Sequence, residues 1–336
     1  MAGGVLCVGT VNLDRIYLVT NLPTRDGGAW IRSRFVTGGG VEGNVASAVA
    51  RLGHAASVIS RVADDEEGRL AIADLAERGV DCRGVQVVQT EDGTPFCLIY
   101  IDPNGDRMIV CGGQATRQLQ WPAGAQALAA GAGALFTSGY TPMPVVREAL
   151  TFANQHGIPV AFDLPDTFDD LERRGFAQEF LLGILPRFTL FMSNGHGLRS
   201  FTGAPDLAAA LRRLRDWGCR SAAVSFGARG SVVLDGERTA WVPAFKPPAI
   251  RDTTGAGDAY HGALIAFHLL EGESLLAAAV KASMAGALNC RGLGAREGLP
   301  SAEEIESFRQ SLGRPATPAW TGGADPAFQR AWTDLL

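Results

Sequence analysis

Short apolar runs recur along the chain, with helical stretches between them. The runs are GVLCVG, SVISRV, ALFTSG, PVAFDLP, FTLFMSN and SAAVSFG. The spacing predicts helices over Asn44 to Leu52 and in EEGRLAIADLAERG, MPVVREALTFANQHG and DLAAALRRLRDWG. Strands that alternate with helices favour a mostly parallel, doubly wound α/β sheet, in which ligands bind beyond the carboxyl ends of the strands.

Two segments, 14–37 and 94–111, interrupt this alternation. Each has β-rich arms around a turn signal, TRDGG in the first segment and PNGD in the second, so both are predicted to be hairpins. Together they would form a small antiparallel sheet. We expect this sheet to act as a lid over the main site, and a plain extension of the sheet edge is the alternative.

Beyond Ser311 the pattern changes to a tail rich in Pro, Gly and Ala. The tail also carries Trp320, Phe328 and Trp332, and so many aromatic residues are unusual in a disordered segment. We therefore expect it to dock on the body or on a neighbouring subunit. The predicted organisation is one domain over 1–312, with both hairpins inserted, and a C-terminal extension over 313–336.

Composition narrows the class of ligand. The 336 residues are 46% hydrophobic, which suffices for a large core, and 30 basic against 35 acidic residues give a net charge of -5. This balance gives no reason to expect nucleic acid or an anionic membrane as a partner, so a small soluble ligand fits better.

The cysteines and the N-terminus bear on the compartment. Six cysteines are scattered without a C-x-x-C pair, which predicts buried free thiols and a reducing environment. The first residues lack the basic start of a signal peptide, and no window approaches the roughly 20 apolar residues of a membrane span. The predicted location is the cytoplasm.

The segment DTTGAGDAYHGALIAFHLL holds the main candidate for chemistry. Apolar spacing after Asp258 is helical, so Gly255, Ala256 and Gly257 lie at a helix entrance, where backbone N–H groups have no intrahelical acceptor. Such an entrance can bind an anion. Glycine spacing alone leaves an ordinary capped helix as the alternative. The P-loop pattern is absent, and the first strand lacks the dinucleotide fingerprint.

The run D-T-T-G-A-G-D resembles the signature of the ribokinase-like (PfkB) carbohydrate kinase family. Other segments follow in the family's order from Val5 to about Glu303: GTVNLDRI, TGGGVEGNVASAVARLG, RVADDEEGRLAIADLAERGVD, SFGARGSVVLDG and CRGLGAREGLP. The resemblance implies a three-layer α/β sandwich with a β lid. It also implies ATP, Mg2+ and phosphoryl transfer to a hydroxyl group of a sugar or nucleoside.

The resemblance assigns Asp258 as the base that accepts the proton of the acceptor hydroxyl. It assigns the backbone of Gly255, Ala256 and Gly257 to the phosphoryl group in transfer, in keeping with a reaction that needs positioning and charge stabilisation. Asp252 and Thr254 match positions near a monovalent-cation site, which would take K+. A turn-forming Asp and Thr pair is an equal alternative.

Further positions follow from the same likeness. On the acceptor side they are Asn12, Asp14, Gly39, Gly40 and Asn44, and a plain N-cap is the alternative for Asn44. On the nucleotide side they are Asn194, Ser225, Gly227, Gly230 and Ser283, with a surface hairpin turn as the alternative for the loop SFGARG.

The chain departs from the family pattern at several positions. The N-x-x-E motif, whose glutamate helps to organise Mg2+, reads Asn194 to Gly197 here, so the placement of the metal is open. His196 in that motif is more typical of a structural histidine than of a ligand. Val41 replaces the lysine of ribokinases, and TSGYTP lacks their carboxylate, which makes ribose itself a poorer candidate.

DRIY, NGDR and DAYHGAL resemble kinases of ketohexoses and modified hexoses, among them sulfofructose kinases. A sulfonate would need an arginine, and the hairpins offer Arg32, Arg34 and Arg107. The predicted function is therefore an ATP-dependent carbohydrate kinase that transfers the γ-phosphoryl group to a hydroxyl of a hexose or ketohexose-like sugar, sulfofructose included.

Two other functions and the assembly stay open at this point. A nucleoside kinase of the same fold would need an aromatic wall, which Tyr17, Trp30, Phe35 and Phe96 offer. A non-catalytic regulatory protein that binds sugar or nucleotide would suit the missing glutamate. Apolar alternation in the hairpins predicts a homodimer through the lid.

Overall fold

The structure is a computed structural model, and it describes residues 3–104, 106–129, 131–313, 318–320, 332–333 and 335. The strands are β1 (Gly4–Val8), β2 (Asn12–Val19), β3 (Ile31–Gly39), β4 (Ala56–Ala63), β5 (Asp81–Val88), β6 (Phe96–Ile101), β7 (Arg107–Gly112), β8 (Ala132–Ser138), β9 (Val160–Leu164), β10 (Leu190–Asn194), β11 (Ser221–Ser225), β12 (Gly230–Asp235) and β13 (Arg238–Pro243).

The helices cover much of the rest of the described chain. They are α1 (Val41–Arg51), α2 (Glu66–Glu77), α3 (Ala125–Ala129), α4 (Met143–Gln155), α5 (Phe168–Arg173), α6 (Gln178–Ile184), α7 (Gly195–Thr202), α8 (Leu207–Asp216), α9 (Ala256–Leu264), α10 (Leu275–Asn289) and α11 (Ala302–Ser311). A π-helical segment, Ile265–Leu270, continues α9.

Nine strands form the large sheet, in the order β13-β12-β11-β10-β9-β8-β1-β4-β5. The pairings from β11 to β5 are parallel, and β12 and β13 add an antiparallel edge. Every residue of β9 is buried, as expected for a parallel strand covered on both faces. The predicted mostly parallel sheet is confirmed.

Helices pack on both faces of the large sheet. Val45 of α1, Ala263 of α9 and Ala279 of α10 belong to one buried apolar cluster, whereas α4 and α8 contribute Val146 and Leu211 to the other. The result is the predicted three-layer sandwich. In the part of the chain that the structure describes, no helix combines the length and the apolar character needed to cross a bilayer.

The two interrupting segments form a small four-stranded sheet in the order β3-β2-β6-β7. The pairs β2–β3 and β6–β7 are antiparallel hairpins, as predicted, and β2 pairs with β6 in parallel at the centre. The turn predicted at PNGD includes Gly105, which lies outside the described residues. This small sheet lies beside the carboxyl end of β1, where ligands are expected.

Parts of the C-terminal extension lie against the body. Trp332 is buried in the cluster that contains Val146, and the guanidinium of Arg238 lies 4.6 Å from the ring centre of Trp320. The expected docking is therefore seen for these two aromatic residues. Phe328 lies outside the described residues.

All six cysteines are free thiols, and their burial differs. Cys7, Cys219 and Cys290 are buried, as expected, and Cys82 and Cys97 are half-buried. Cys111 is exposed, so the prediction of a buried thiol is wrong at this position. The reason is that β7 is the edge strand of the small sheet, where most of its residues are exposed.

Candidate active site

The glycine turn lies at the start of α9. Gly255 precedes the helix with φ 74° and ψ 1°, in the left-handed region. A Cβ atom there would lie 2.5 Å from the carbonyl oxygen of Ala295, so glycine is required both by conformation and by space. A Cβ atom on Gly257 would meet open space instead. The N–H group of Ala256 donates to the carbonyl of Thr253 at 3.3 Å.

Asp258 stands in the first turn of α9, half-buried and adjacent to the two clefts described below. Its Oδ2 atom accepts a hydrogen bond from Nδ2 of Asn44 at 2.7 Å. Burial raises the pKa of Asp258 from 3.8 to about 7, the hydrogen bond from Asn44 lowers it, and the nearby Glu42 carboxylate raises it. This carboxyl group therefore titrates near neutral pH.

The predicted N-cap alternative for Asn44 is wrong, because α1 begins at Val41 after Gly40, whose φ of 88° ends the preceding strand. Asn44 thus lies one turn into the helix. Its side chain is free to reach Asp258, 214 residues away in sequence.

Arg296 is a buried arginine that the sequence analysis did not single out. Its Nε donates to Oδ1 of Asn44 at 2.8 Å, its Nη2 donates to the carbonyl oxygen of Gly39 at 2.6 Å, and its Nη1 pairs with Asp74. Burial lowers the pKa of Arg296, and the Asp74 carboxylate raises it. Arg296 holds Asn44 in place, so it positions the partner of Asp258.

Other ionisable groups are buried near Asp258. Glu42 accepts hydrogen bonds from the N–H and the hydroxyl of Thr10 at 2.7 and 2.6 Å. Nδ1 of His261 lies 3.7 Å from Oδ2 of Asp163. Burial lowers the pKa of His261 to about 4 and raises that of Asp163 well above its usual value.

The acceptor cleft, of about 580 Å3, lies under the small sheet. Asn12, Asp14, Gly40 and Asn44 line it, as the sequence predicted. Gly39 lies at its edge, where an added Cβ would fall 2.4 Å from the Asp14 carboxylate.

Asn12 and Asp14 form the polar end of this cleft. Nδ2 of Asn12 donates to Asp14 at 3.3 Å, and its buried Oδ1 has no hydrogen-bond partner among the described residues. Burial raises the pKa of Asp14 to about 6, against the lowering effect of Arg296. Hydroxyl groups of a ligand would satisfy these polar atoms.

Positive charge in the acceptor cleft comes from residues that the sequence analysis missed. Arg117 and Arg174 line the cleft, and the guanidinium of Arg174 lies 4.8 Å from the ring centre of Tyr140. Of the hairpin arginines proposed for this role, Arg32 and Arg34 lie on exposed β3, away from the cleft. Arg107 borders the other cleft and donates to the hydroxyl of Thr254 at 3.3 Å. No local pattern in LERRGFAQ marks Arg174 as a cleft residue.

The four aromatic residues predicted to form a wall for a nucleoside do not come together. Of these four, only Phe96 lines the acceptor cleft, where Tyr140 and Phe176 are the other aromatic residues. Tyr17 stacks on Tyr100 of the neighbouring strand, with ring centres 5.3 Å apart, and Trp30 and Phe35 are exposed.

The nucleotide cleft, of about 810 Å3, opens on the other side of the turn. All five predicted residues line it, namely Asn194, Ser225, Gly227, Gly230 and Ser283. Asn194 caps α7: its Oδ1 accepts from the N–H of Gly197 and its Nδ2 donates to the carbonyl of Pro165, both at 2.8 Å. The hydroxyl of Ser283 donates to the carbonyl of Pro243 at 3.1 Å.

The missing glutamate of the N-x-x-E motif has a steric reason. A Cβ atom on Gly197 would lie 2.8 Å from Oγ of Ser193 and 3.0 Å from the carbonyl oxygens of Leu164 and Asp166. A glutamate at this position would therefore require Ser193 and the neighbouring backbone to shift. Across the described residues, no group of three or more His, Cys, Asp or Glu side chains is arranged to hold a metal ion.

Asp252 and Thr254 make the contacts of a turn. Oδ1 of Asp252 accepts from the N–H and hydroxyl of Thr254 at 2.9 and 2.7 Å, and its Oδ2 accepts from the N–H of Gly294 at 2.9 Å. These hydrogen bonds fix the backbone of residues 252–254, directly before Gly255.

The two clefts meet at the glycine turn. Thr254 lines the acceptor cleft, whereas Ala256 and Gly257 line the nucleotide cleft. Asp258 follows them in the chain and accepts a hydrogen bond from Asn44 of the acceptor cleft. A helix entrance that can bind an anion, next to a carboxylate and between two ligand-sized clefts, is the arrangement of a small-molecule kinase.

Comparison with known proteins gives the family. The model of the pfkB family carbohydrate kinases matches residues 3–302, so the chain belongs to that family. An ATP-dependent ribose-1-phosphate kinase of Halopiger xanaduensis is 31% identical over 310 residues, which cover 90% of this chain and 97% of that protein. Fructokinase-1 of Oryza sativa subsp. japonica is 27% identical over 343 residues, covering 91% and 98%.

The fold comparison agrees. The structure of Arabidopsis thaliana ribokinase complexed with ribose and ATP superposes with a TM-score of 0.79 at 22% identity, covering 92% of this chain and 99% of that chain. The ribokinase-like fold predicted from the sequence is therefore confirmed, as is a carbohydrate kinase of the pfkB family.

Proposed function

We propose that the protein transfers the γ-phosphoryl group of ATP to a hydroxyl of a hexose or ketohexose-like sugar. The observation that carries this proposal is the position of Asp258, which accepts a hydrogen bond from Asn44 of the acceptor cleft and directly follows Ala256 and Gly257 of the nucleotide cleft. The names of two relatives, a ribose-1-phosphate kinase and a fructokinase, support a sugar as the acceptor.

Asp258 accepts the proton that leaves the acceptor hydroxyl. The hydrogen bond from Asn44 fixes its Oδ2 and favours the ionised form, while burial holds its pKa at about 7. The N–H groups at the start of α9, beside Gly255, Ala256 and Gly257, face the phosphoryl group in transfer and stabilise its charge. Asn12 and Asp14 bind the hydroxyl groups of the sugar.

The acceptor carries an anionic substituent such as a phosphate or a sulfonate, as sulfofructose does. Arg117 and Arg174 line the acceptor cleft, and a cleft for a neutral sugar has no need of two guanidinium groups. The relative that acts on ribose 1-phosphate, by its name, supports an anionic acceptor.

ATP lies in the nucleotide cleft, along Asn194, Ser225, Gly227, Gly230 and Ser283. The described side chains do not fit a magnesium ion held directly by several carboxylates, since Gly197 stands in place of the glutamate and no group of three or more His, Cys, Asp or Glu side chains is arranged for a metal. In kinases, Mg2+ is bound by the phosphate oxygens of the nucleotide. The role proposed for Asp258 does not depend on a protein ligand for the metal. A K+ site at Asp252 and Thr254 stays a prediction.

The test is release of ADP from Mg-ATP with a panel of ketohexoses, aldohexoses, sugar phosphates, sulfosugars and nucleosides. One acceptor should be turned over, and Asp258→Asn should lower kcat by several orders of magnitude. The exposed Asp169→Asn is the matched control and should behave as wild type. Turnover that survives in Asp258→Asn would refute the role of the carboxylate, and turnover of nucleosides alone would refute the sugar.

The anionic substituent has a separate test in two neighbouring arginines. Arg174→Gln should raise the KM of a sugar phosphate or sulfosugar by about tenfold or more, since a charged hydrogen bond is worth about 1.5–3 kcal/mol. The KM of ATP should stay unchanged. Arg173→Gln removes an exposed arginine that pairs with Asp170 outside the cleft, and its kinetics should match wild type. An equal change in the acceptor KM of both variants would contradict the role of Arg174 in binding the anionic substituent.

A further inference from the structure

We propose that Cys97 and Cys111 are a redox modification site in the wall of the acceptor cleft. Their thiols form a disulfide with a low-molecular-weight disulfide as oxidant, and the oxidised protein binds its acceptor more weakly. The chemistry of the pair stands alone, whereas its effect on the acceptor rests on the proposed function.

The geometry brings the two thiols together across a hairpin. Cys97 of β6 and Cys111 of β7 are directly paired in the antiparallel register, and their Sγ atoms lie 3.3 Å apart. Directly opposed residues in antiparallel strands have Cα atoms about 4.5–5.5 Å apart, which falls within the range that disulfides accept. Rotation of the side chains is therefore enough to join the sulfurs.

The pair also has the reactivity that the reaction needs. Cys111 is exposed and Cys97 is half-buried, so a small oxidant reaches the first sulfur and the second is held beside it. The pKa of Cys111 is lowered by the hydrogen bond from the Cys97 thiol and by the guanidinium of Arg174. Cys7 and Cys219 are buried, and burial raises the pKa of each.

The reaction takes place in two exchanges with glutathione disulfide. The Cys111 thiolate attacks one sulfur of the oxidant, and one glutathione thiolate leaves. Cys97 then loses its proton and attacks Sγ of Cys111, which releases the second glutathione thiolate. The protein pair gives up two electrons and two protons, and the oxidant is reduced to two molecules of glutathione.

The disulfide changes the polar end of the acceptor cleft. In the reduced protein, Sγ of Cys97 accepts a hydrogen bond from Nδ2 of Asn12 at 3.3 Å. The disulfide draws this sulfur toward β7 and away from Asn12. Asn12 then loses a hydrogen-bond partner, while the nucleotide cleft, which neither cysteine lines, is unaffected.

The first measurement needs no activity. Wild type is incubated with glutathione disulfide, free thiols are blocked, and the intact mass and peptide map are recorded. The expected product has lost 2 Da and contains a peptide that joins Cys97 to Cys111. A mixed disulfide with glutathione that persists on Cys111, or unmodified thiols at both positions, would overturn the proposal.

The second measurement compares KM values before and after oxidation. The KM of the acceptor should rise about fivefold, the factor expected for one lost hydrogen bond, with the KM of ATP unchanged and full recovery in dithiothreitol. The KM of Cys111→Ser should not respond to the oxidant, whereas Cys82→Ser, which removes a half-buried thiol elsewhere, should respond as wild type. An acceptor KM that stays constant or falls on oxidation refutes the effect on binding.

If no acceptor is turned over at all, the proposed function fails while the mass measurement still decides the disulfide. The two proposals are thus separable.

Discussion

The half-buried carboxylate of Asp258 should make the fold less stable than an uncharged side chain would. Its pKa is about 7 in the folded protein and 3.8 in an unfolded chain, and each factor of ten in ionisation corresponds to about 1.4 kcal/mol. Ionisation therefore costs the folded state about 4 kcal/mol above pH 7. Asp258→Asn removes the charge at nearly constant shape, so the variant should be more stable than wild type by about that amount.

The pH dependence follows from the sign of this difference. A carboxyl whose pKa is raised on folding contributes its full stability below pH 3.8, where both states are protonated, and loses it as pH rises through about 7. The stability gain of Asp258→Asn should thus be small near pH 4, grow between pH 4 and 7, and stay constant above pH 7.

The assay is urea unfolding of both proteins at pH 4.5, 6 and 8, followed by circular dichroism. Asp169→Asn, at an exposed position in the first turn of α5, should differ from wild type by less than about 0.5 kcal/mol at each pH. A gain in Asp258→Asn that does not change with pH, or a loss of stability at pH 8, would refute the reasoning.

Three other predictions concern the same site and the assembly. Asn44→Ala removes the hydrogen bond that lowers the pKa of Asp258, so the acid limb of the plot of kcat/KM against pH should move above pH 7. An acid limb that does not move would argue against Asp258 as the base. Arg296→Met leaves Asp74 and Asn44 without their buried partner, so the free energy of unfolding measured in urea should fall by about 3–5 kcal/mol. A loss below about 1 kcal/mol would show that these contacts of Arg296 do not stabilise the fold. We expect a homodimer through the small sheet, because this sheet exposes apolar residues such as Val110, and light scattering should then give twice the monomer mass of 35.4 kDa. The variant Val110→Glu should be a monomer. A wild-type monomer at micromolar concentration would exclude the dimer.

Much of the fold could be predicted because its signals are local. Apolar runs with glycine ends gave the strands of the large sheet, and turn residues in two β-rich segments gave the hairpins of the small one. The turn before Asp258 was also predictable, since its three small residues precede a helical pattern and the whole run D-T-T-G-A-G-D resembles the family signature. Gly255 confirms this, with a φ of 74° that favours glycine.

The charged network could not be predicted in the same way. Arg296 lies in CRGLGAREGLP, and nothing in its neighbours distinguishes a buried arginine from an exposed one. Its partners Asp74 and Asn44 are 222 and 252 residues away in sequence, so the contacts exist only after the layers pack. Arg174 and Arg117 belong to the acceptor cleft for the same reason, although the hairpin arginines are closer in sequence to the predicted sugar residues.

Arg296 has a consequence for how the enzyme can move. One guanidinium holds the last residue of β3 through the carbonyl of Gly39, and α1 through Asn44. A rigid swing of the small sheet about Gly39 would break a buried charged hydrogen bond, so bending must occur farther along the strands. Asn44 and Asp258 then keep their alignment whether the cleft is open or closed. The enzyme therefore discriminates between sugars by how well each one fills a preformed site. Acceptor analogues should differ more in binding affinity than in the rate of phosphoryl transfer once they are bound.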